Sequence, residues 1–119
     1  YYDAYYDKAM RVRSKIISEI DKVFLKDIGV DALIAPVAPT LPFRLGEKKD
    51  NPLKMYLTDV YAATANLCGI PSLALPSAFS KNNLPMGFQL MGPRFSEPVL
   101  FKLGKIYHRA INYQPKIAF

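Results

Sequence analysis

One carboxylate in this sequence stands apart from the rest. Residues 55–80 carry a single formal charge, Asp59, in the most apolar stretch of the chain. An ionised carboxylate there loses solvation and needs a cation or several donors to remain charged. Leu53, Leu57, Val60, Thr64 and Leu67 make one helical stripe. At about 100° per residue, Asp59 falls off that stripe, on the side of Ala62, Ala63 and Asn66. Two roles are open to it: a structural ion pair with a distant Arg or Lys, or a counter-charge for the ammonium group of a substrate.

The other reactive side chains suggest less. Ser72, Ser77 and Ser80 lie near apolar runs, but none sits in a Gly-x-Ser-x-Gly elbow, so they read as turn and strand serines. His108 stands beside Arg109 on a helical pattern and reads as a solvated or capping residue. Cys68, at the end of an apolar segment, reads as a small core residue. One Cys and one His exclude an internal disulfide and a protein-only zinc site. Pro36, Pro39 and Pro42 are spaced as in a polyproline ligand, although a rigid loop leaving a buried strand explains them more simply. Lys102, Lys105 and Arg109 form a basic helix face that permits contact with RNA or an acidic partner and reads first as a solvated face. The net charge of +6 allows either reading. There is no phosphate-cradling glycine loop.

The elements that position these residues follow from periodicity. Tyr2, Tyr5, Tyr6, Ala9, Val12, Ile16, Ile20, Val23 and Phe24 recur at steps of three and four, which predicts a helix over 1–24. Residues 30–35 read as a short buried strand, and 44–50 as a polar surface loop. Asn51-Pro52 is a helix start, with Asn as N-cap and Pro at N1. Gly69 and Pro71 are the matching stop, so one helix is predicted over 52–68. It is apolar nearly all round, which predicts burial between layers. Residues 72–75 and 86–91 read as strands that pair antiparallel across a turn at Lys81-Asn82-Asn83. Ser96-Glu97-Pro98 opens a last helix whose stripe is Val99, Leu100, Leu103, Ile106, Tyr107 and Ala110. The order predicts an α/β fold, a mixed sheet flanked by helices. The uncharged run over 60–80 contains Asn66, Gly69, Pro71 and Pro76, which argues against a membrane span. The uncapped opening helix and the all-round apolar second helix lead to the expectation that these 119 residues are part of a larger domain.

Motifs along nearly the whole chain resemble one family. Asp31-Ala32-Leu33-Ile34-Ala35-Pro36, followed by Pro39-Thr40, resembles a strand and Pro loop of the amidase signature family. Leu84-Pro85-Met86-Gly87-Phe88-Gln89 resembles the family's Leu-Pro-x-Gly-x-Gln segment. Two further stretches are similar to the tRNA-linked branch of the family, the A subunits of the glutamyl-tRNA(Gln) amidotransferases. They are the Tyr-rich opening helix, and Met55-Tyr56-Leu57-Thr58-Asp59 with Ala65-Asn66-Leu67-Cys68-Gly69-Ile70-Pro71.

The resemblance implies that residues 1–119 are the C-terminal portion of a single amidase α/β/α domain. It implies a catalytic serine, a bridging serine in a cis peptide and a lysine, all upstream of the Tyr-rich helix. No catalytic residue is therefore expected in this chain, and the chain alone is expected to be inactive. An arginine for the substrate carboxylate is also expected upstream. The family's carboxylate for the α-amino group of glutamine matches Asp59, so the resemblance implies a substrate-binding Asp59.

The whole enzyme would hydrolyse glutamine and pass ammonia to a B subunit. That second protein converts Glu-tRNA(Gln) to Gln-tRNA(Gln) with ATP and Mg2+, and a small C subunit steadies a heterotrimer in the cytoplasm or an organellar matrix. No metal site and no cofactor are expected in this chain, and no membrane partner. Thr58 departs from the branch's usual Asn, and Pro76-Ser77-Ala78 from its Pro-Cys-Gly or Pro-Ser-Gly. The alternatives are another amidase acting alone on a small amide, or a non-enzymatic module binding through the Pro loop or the basic helix.

Overall fold

Apolar residues at steps of three and four wind the opening segment into α1, Tyr2–Phe24. The computed structural model describes residues 2–25, 29–47 and 51–112; the expected helix start at position 1 and the far end of the polar loop at 48–50 lie outside them. Only the second half of the α1 stripe is covered among the described residues. Ile16, Ile17, Ile20 and Phe24 pack on the core, whereas Tyr5, Tyr6 and Val12 are exposed.

Three strands form one sheet: β1 Leu33–Pro36, β2 Ser72–Phe79 and β3 Pro85–Met91, in the order β1-β3-β2. Both ladders are antiparallel, and the expected hairpin between β2 and β3 is present. Its turn uses Asn83 in the left-handed region, while the Ser80 hydroxyl accepts from the backbone N–H groups of Asn82 and Leu84. β2 runs four residues longer than expected, past a bulge between Pro76 and Ala78. β1 ends at Pro36, paired with Phe88, and the chain then leaves the sheet through the Pro loop.

Strand alternation assigns the two faces. Met91 joins Ala65, Cys68 and Ile70 in the core under α1, with Leu33 and Ala35 packed against it. Leu73 and Leu75 point the other way, to the last helix, α4 Glu97–Ile111. Helices therefore flank the sheet on both sides, the α/β arrangement predicted, but every pairing among the described strands is antiparallel, so the expectation of a mixed sheet is corrected. The buried line of α4 is narrower than its expected stripe: Leu100 and Gly104 are buried, but Val99, Leu103 and Ile106 are exposed. Gly104 lets the helix approach β2 closely, since a Cβ there would stand 2.7 Å from Leu73 Cδ2. One turn on, the Tyr107 hydroxyl donates to the Pro76 carbonyl at 3.0 Å, and its ring meets Phe88 edge-on at 4.9 Å.

The helix before β2 ends at Cys68, with Gly69 in the left-handed conformation at φ 64°. Two arginines take up its terminal carbonyls. Arg13 Nε of α1 donates to the Leu67 carbonyl at 2.8 Å, and Arg94 Nη2, just after β3, donates to the Cys68 carbonyl at 3.1 Å. Arg94 also pairs with Asp21 of α1 at 3.0 Å. Cations at a helix C-terminus satisfy orphan carbonyls and oppose the helix dipole. The Arg94–Asp21 pair is half exposed and contributes little by itself. Arg94→Ala is therefore expected to lower the unfolding free energy of the full-length protein by about 1–2 kcal/mol, and Asp21→Asn by about 0.5 kcal/mol. Denaturant melts check this ranking, and the reverse order would place the stabilisation in the ion pair instead of the cap.

Candidate functional site

The segment that carries Asp59 is not one helix. Asn51 caps its start, its side chain accepting from the Lys54 N–H at 3.1 Å, and Pro52 opens α2, Pro52–Tyr56. A single 3-10 turn, Leu57–Asp59, follows, and α3 resumes at Ala62–Cys68. The Thr58 hydroxyl donates to the Met55 carbonyl three residues back, competing with the regular i→i−4 ladder where the winding tightens. The expectation of a continuous helix over 52–68 is corrected accordingly. So is its burial: Leu53, Met55, Tyr56, Leu57, Val60 and Tyr61 are all exposed. Only one edge of α3, Ala65 and Cys68, reaches the core under α1. Thr58, Ala62, Ala63 and Thr64 are half-buried, and Asn66 and Leu67 are exposed.

Asp59 is exposed at the end of the 3-10 turn. It makes no ion pair or side-chain hydrogen bond with any described residue, so a structural ion pair finds no partner for it there. Neighbouring Thr58 lines an open groove of about 740 Å³. Its other walls are the Pro loop from Pro36 to Phe43, the Ala74–Pro76 stretch of β2, and Pro85, Met86 and Gly87 of β3. Asp59 is not one of the lining residues. The groove is thus bounded by three of the sequence motifs, and Asp59 follows directly in sequence on Thr58 of one wall.

Gln89 has no reactive chemistry to single it out in the sequence, yet it joins these walls. It is 4% exposed, in the middle of the central strand. Its Nε2 donates to the Pro36 carbonyl at 3.0 Å and to the Tyr61 carbonyl at 3.1 Å, while its Oε1 accepts from the Ser72 hydroxyl at 2.9 Å. One carboxamide thereby connects β1, β2 and the turn after Asp59. The sequence signal for it is a lone polar residue within the apolar run 86–91. Gly87, two residues earlier, is required by close approach, because a Cβ there would stand 2.8 Å from the Leu75 carbonyl oxygen.

The remaining candidates follow their simpler readings. Ser72 serves Gln89, Ser80 serves the hairpin turn, and Ser77 lies at the bulge. His108 and Arg109 are exposed in the last turn of α4. Among the described residues no group of three His, Cys, Asp or Glu side chains could hold a metal ion, and no helix is long and apolar enough to cross a membrane.

Comparison with known proteins gives this geometry a context. The sequence profile of the Amidase family matches residues 1–101. The chain is 46% identical to the A subunit of a glutamyl-tRNA(Gln) amidotransferase from Trichodesmium erythraeum, over 98% of its own length and 24% of that protein's. It therefore spans about a quarter of the length of this relative. Among solved structures, the glutamyl-tRNA(Gln) amidotransferase A subunit from Thermotoga maritima superimposes with a TM-score of 0.78 at 43% identity, covering 86% of this chain and 22% of that one. An allophanate hydrolase of Kluyveromyces lactis superimposes with a TM-score of 0.72 at 27% identity, covering 85% and 16%.

Cys68 is buried, and its ionisation is displaced. Burial pushes its thiol up, the nearby Asp21 carboxylate adds to the shift, and Arg94 and Arg13 oppose it. A thiol 2% exposed and held protonated is a poor nucleophile. Iodoacetamide at pH 8 is expected to leave Cys68 unmodified in the native full-length protein and to label it on unfolding. Peptide mapping by mass spectrometry checks this, and rapid native labelling would contradict the burial.

Proposed function

This chain belongs to the amidase family, and on that premise we propose that it is the C-terminal part of the glutamine-hydrolysing component of a tRNA-dependent amidotransferase. On this reading the whole component releases ammonia from the glutamine side chain. A partner B subunit uses the ammonia to convert Glu-tRNA(Gln) to Gln-tRNA(Gln), and a C subunit completes the heterotrimer. The cytoplasm, or an organellar matrix, is the proposed location.

The observation that carries the reading is Asp59. It is the only charge over 55–80, it is exposed, and no described residue neutralises it. An exposed carboxylate with no counter-ion among the described residues, one position after a residue that lines an apolar groove, suits the α-ammonium of an amino-acid substrate, by charge attraction and charge-assisted hydrogen bonds. Asp59 would hold and orient the glutamine so that its side-chain amide reaches the nucleophile. The nucleophilic serine, its bridging serine and its lysine are assigned to the part of the domain that precedes these residues. ATP and Mg2+ are assigned to the B subunit, and no step is routed through them here.

The likeness to an allophanate hydrolase supports a second reading, an amidase acting on a small amide. The two readings differ at Asp59, because an amide without an α-amino group has no use for that carboxylate. In the full-length protein, Asp59→Asn is expected to raise the KM for glutamine about 10²-fold, the loss of one charged substrate contact, with the thermal midpoint unchanged. Unchanged glutamine kinetics would remove Asp59 from the site and favour the second reading. Residues 1–119 alone are expected to show no glutaminase turnover, and measurable turnover would mean that the nucleophile has been misplaced.

A further inference from the structure

We infer that Gln89 is a positioning residue for the Asp59 segment, acting through the Tyr61 carbonyl. The inference rests on the assignment of Asp59 to glutamine binding and extends it to a side chain on the sheet.

The segment that presents Asp59 has little to hold it in place. Its 3-10 turn buries no side chain, and the residues on either side of it are exposed. The Thr58 and Asn51 hydrogen bonds are local and fix only the winding. The position of the turn relative to the groove must come from a contact across the chain. Gln89 supplies one: its Nε2 donates to the Tyr61 carbonyl, two residues after Asp59, from 28 residues away. The same nitrogen donates to Pro36, the first residue of the Pro loop on the opposite wall. The two walls are therefore referenced to a single nitrogen atom.

The chemistry requires an amide. Both carbonyls can only accept, so the group facing them must carry two N–H donors, while the other end must accept from the Ser72 hydroxyl. A glutamate would set negative oxygen against carbonyl oxygen. A methionine would fill the space and remove the one donor group that the Pro36 and Tyr61 carbonyls share. The Ser72 bond fixes which end of the carboxamide faces which partner, so Ser72 bears on the same geometry at one remove.

In the full-length protein, Gln89→Met is expected to raise the KM for glutamine on the order of tenfold with kcat within about threefold, a displaced substrate contact and not a damaged nucleophile. Combined with Asp59→Asn it is expected to add nothing to the KM of Asp59→Asn alone, because both changes remove the same contact. Equal losses in KM and kcat, an unchanged KM, or independent multiplication of the two effects would overturn the inference. If Gln89→Met does not fold, Ser72→Ala decides. A rise in KM of about threefold, absent in the Asp59→Asn background, supports positioning, and an unchanged KM refutes it. If Asp59→Asn by itself leaves KM unchanged, the substrate assignment has failed, and positioning is read from amide hydrogen exchange over 57–60. Faster exchange there in the Gln89 or Ser72 variant, with α1 amides unaffected, supports the role, and unaltered exchange overturns it.

Discussion

The buried carboxamide of Gln89 is the constraint on which the arrangement of the motifs depends. Hydrogen bonds in folded proteins are individually modest, but a buried donor or acceptor left without a partner is expensive. Gln89 stands where three segments need a donor or an acceptor at once: the end of β1, the start of β2 and the junction before α3. Its own strand is central, with a neighbour on each side, so it cannot shift without breaking two ladders. Alanines oppose it in both, Ala35 on β1 and Ala74 on β2, which leaves room for the amide to reach sideways. Gly87 completes the arrangement by letting β3 and β2 approach closely ahead of it.

A second set of polar contacts fixes α3 from its other end. Its terminal carbonyls, at Leu67 and Cys68, each accept from an arginine, one on α1 and one beyond β3. These contacts orient a seven-residue helix that is too short to be stable through its own ladder. The apolar core beneath it is small, comprising Ala65, Cys68, Ile70 and Met91 with the lower half of α1. Polar anchoring therefore carries a large share of what holds α3 in place. Gln89 anchors its N-terminal junction, the arginines its C-terminus, and the packed residues lie between.

Much of this is legible in the residues. The periodicity of α1, the Asn51-Pro52 start, the Gly69 stop, the β2–β3 hairpin and the start of α4 all rest on interactions within a few positions, and all are found. Three features are not legible, and each depends on contacts distant in sequence. The run over 52–68 has the composition of one helix, and nothing in composition distinguishes an α from a 3-10 turn at Leu57–Asp59. The buried line of α4 passes through Gly104, which no apolar count selects, because its role is to bring β2 close. The partners of Arg94 lie 26 and 73 residues away, and Gln89 reaches back 53 and 28. At the candidate site, Asp59 is identifiable as an isolated charge, whereas the groove that Thr58 lines is made by the fold.

The 3-10 turn also changes the energetics of that charge. In the middle of a buried helix, Asp59 would have to be compensated within the protein, and a protein cation already paired with it would compete with a substrate ammonium. At the end of an exposed turn the carboxylate keeps its water. It has no intramolecular partner among the described residues to give up. On the proposed reading, a ligand would exchange water for a charge-assisted contact, and the attraction would strengthen as surrounding apolar walls exclude solvent. The exposed Leu57, Val60 and Tyr61 around Asp59 are side chains of the kind that form such walls when covered. Isolation in sequence and isolation among the described residues thus have one physical consequence: no described side chain competes for the charge, which is what the proposed role of Asp59 requires.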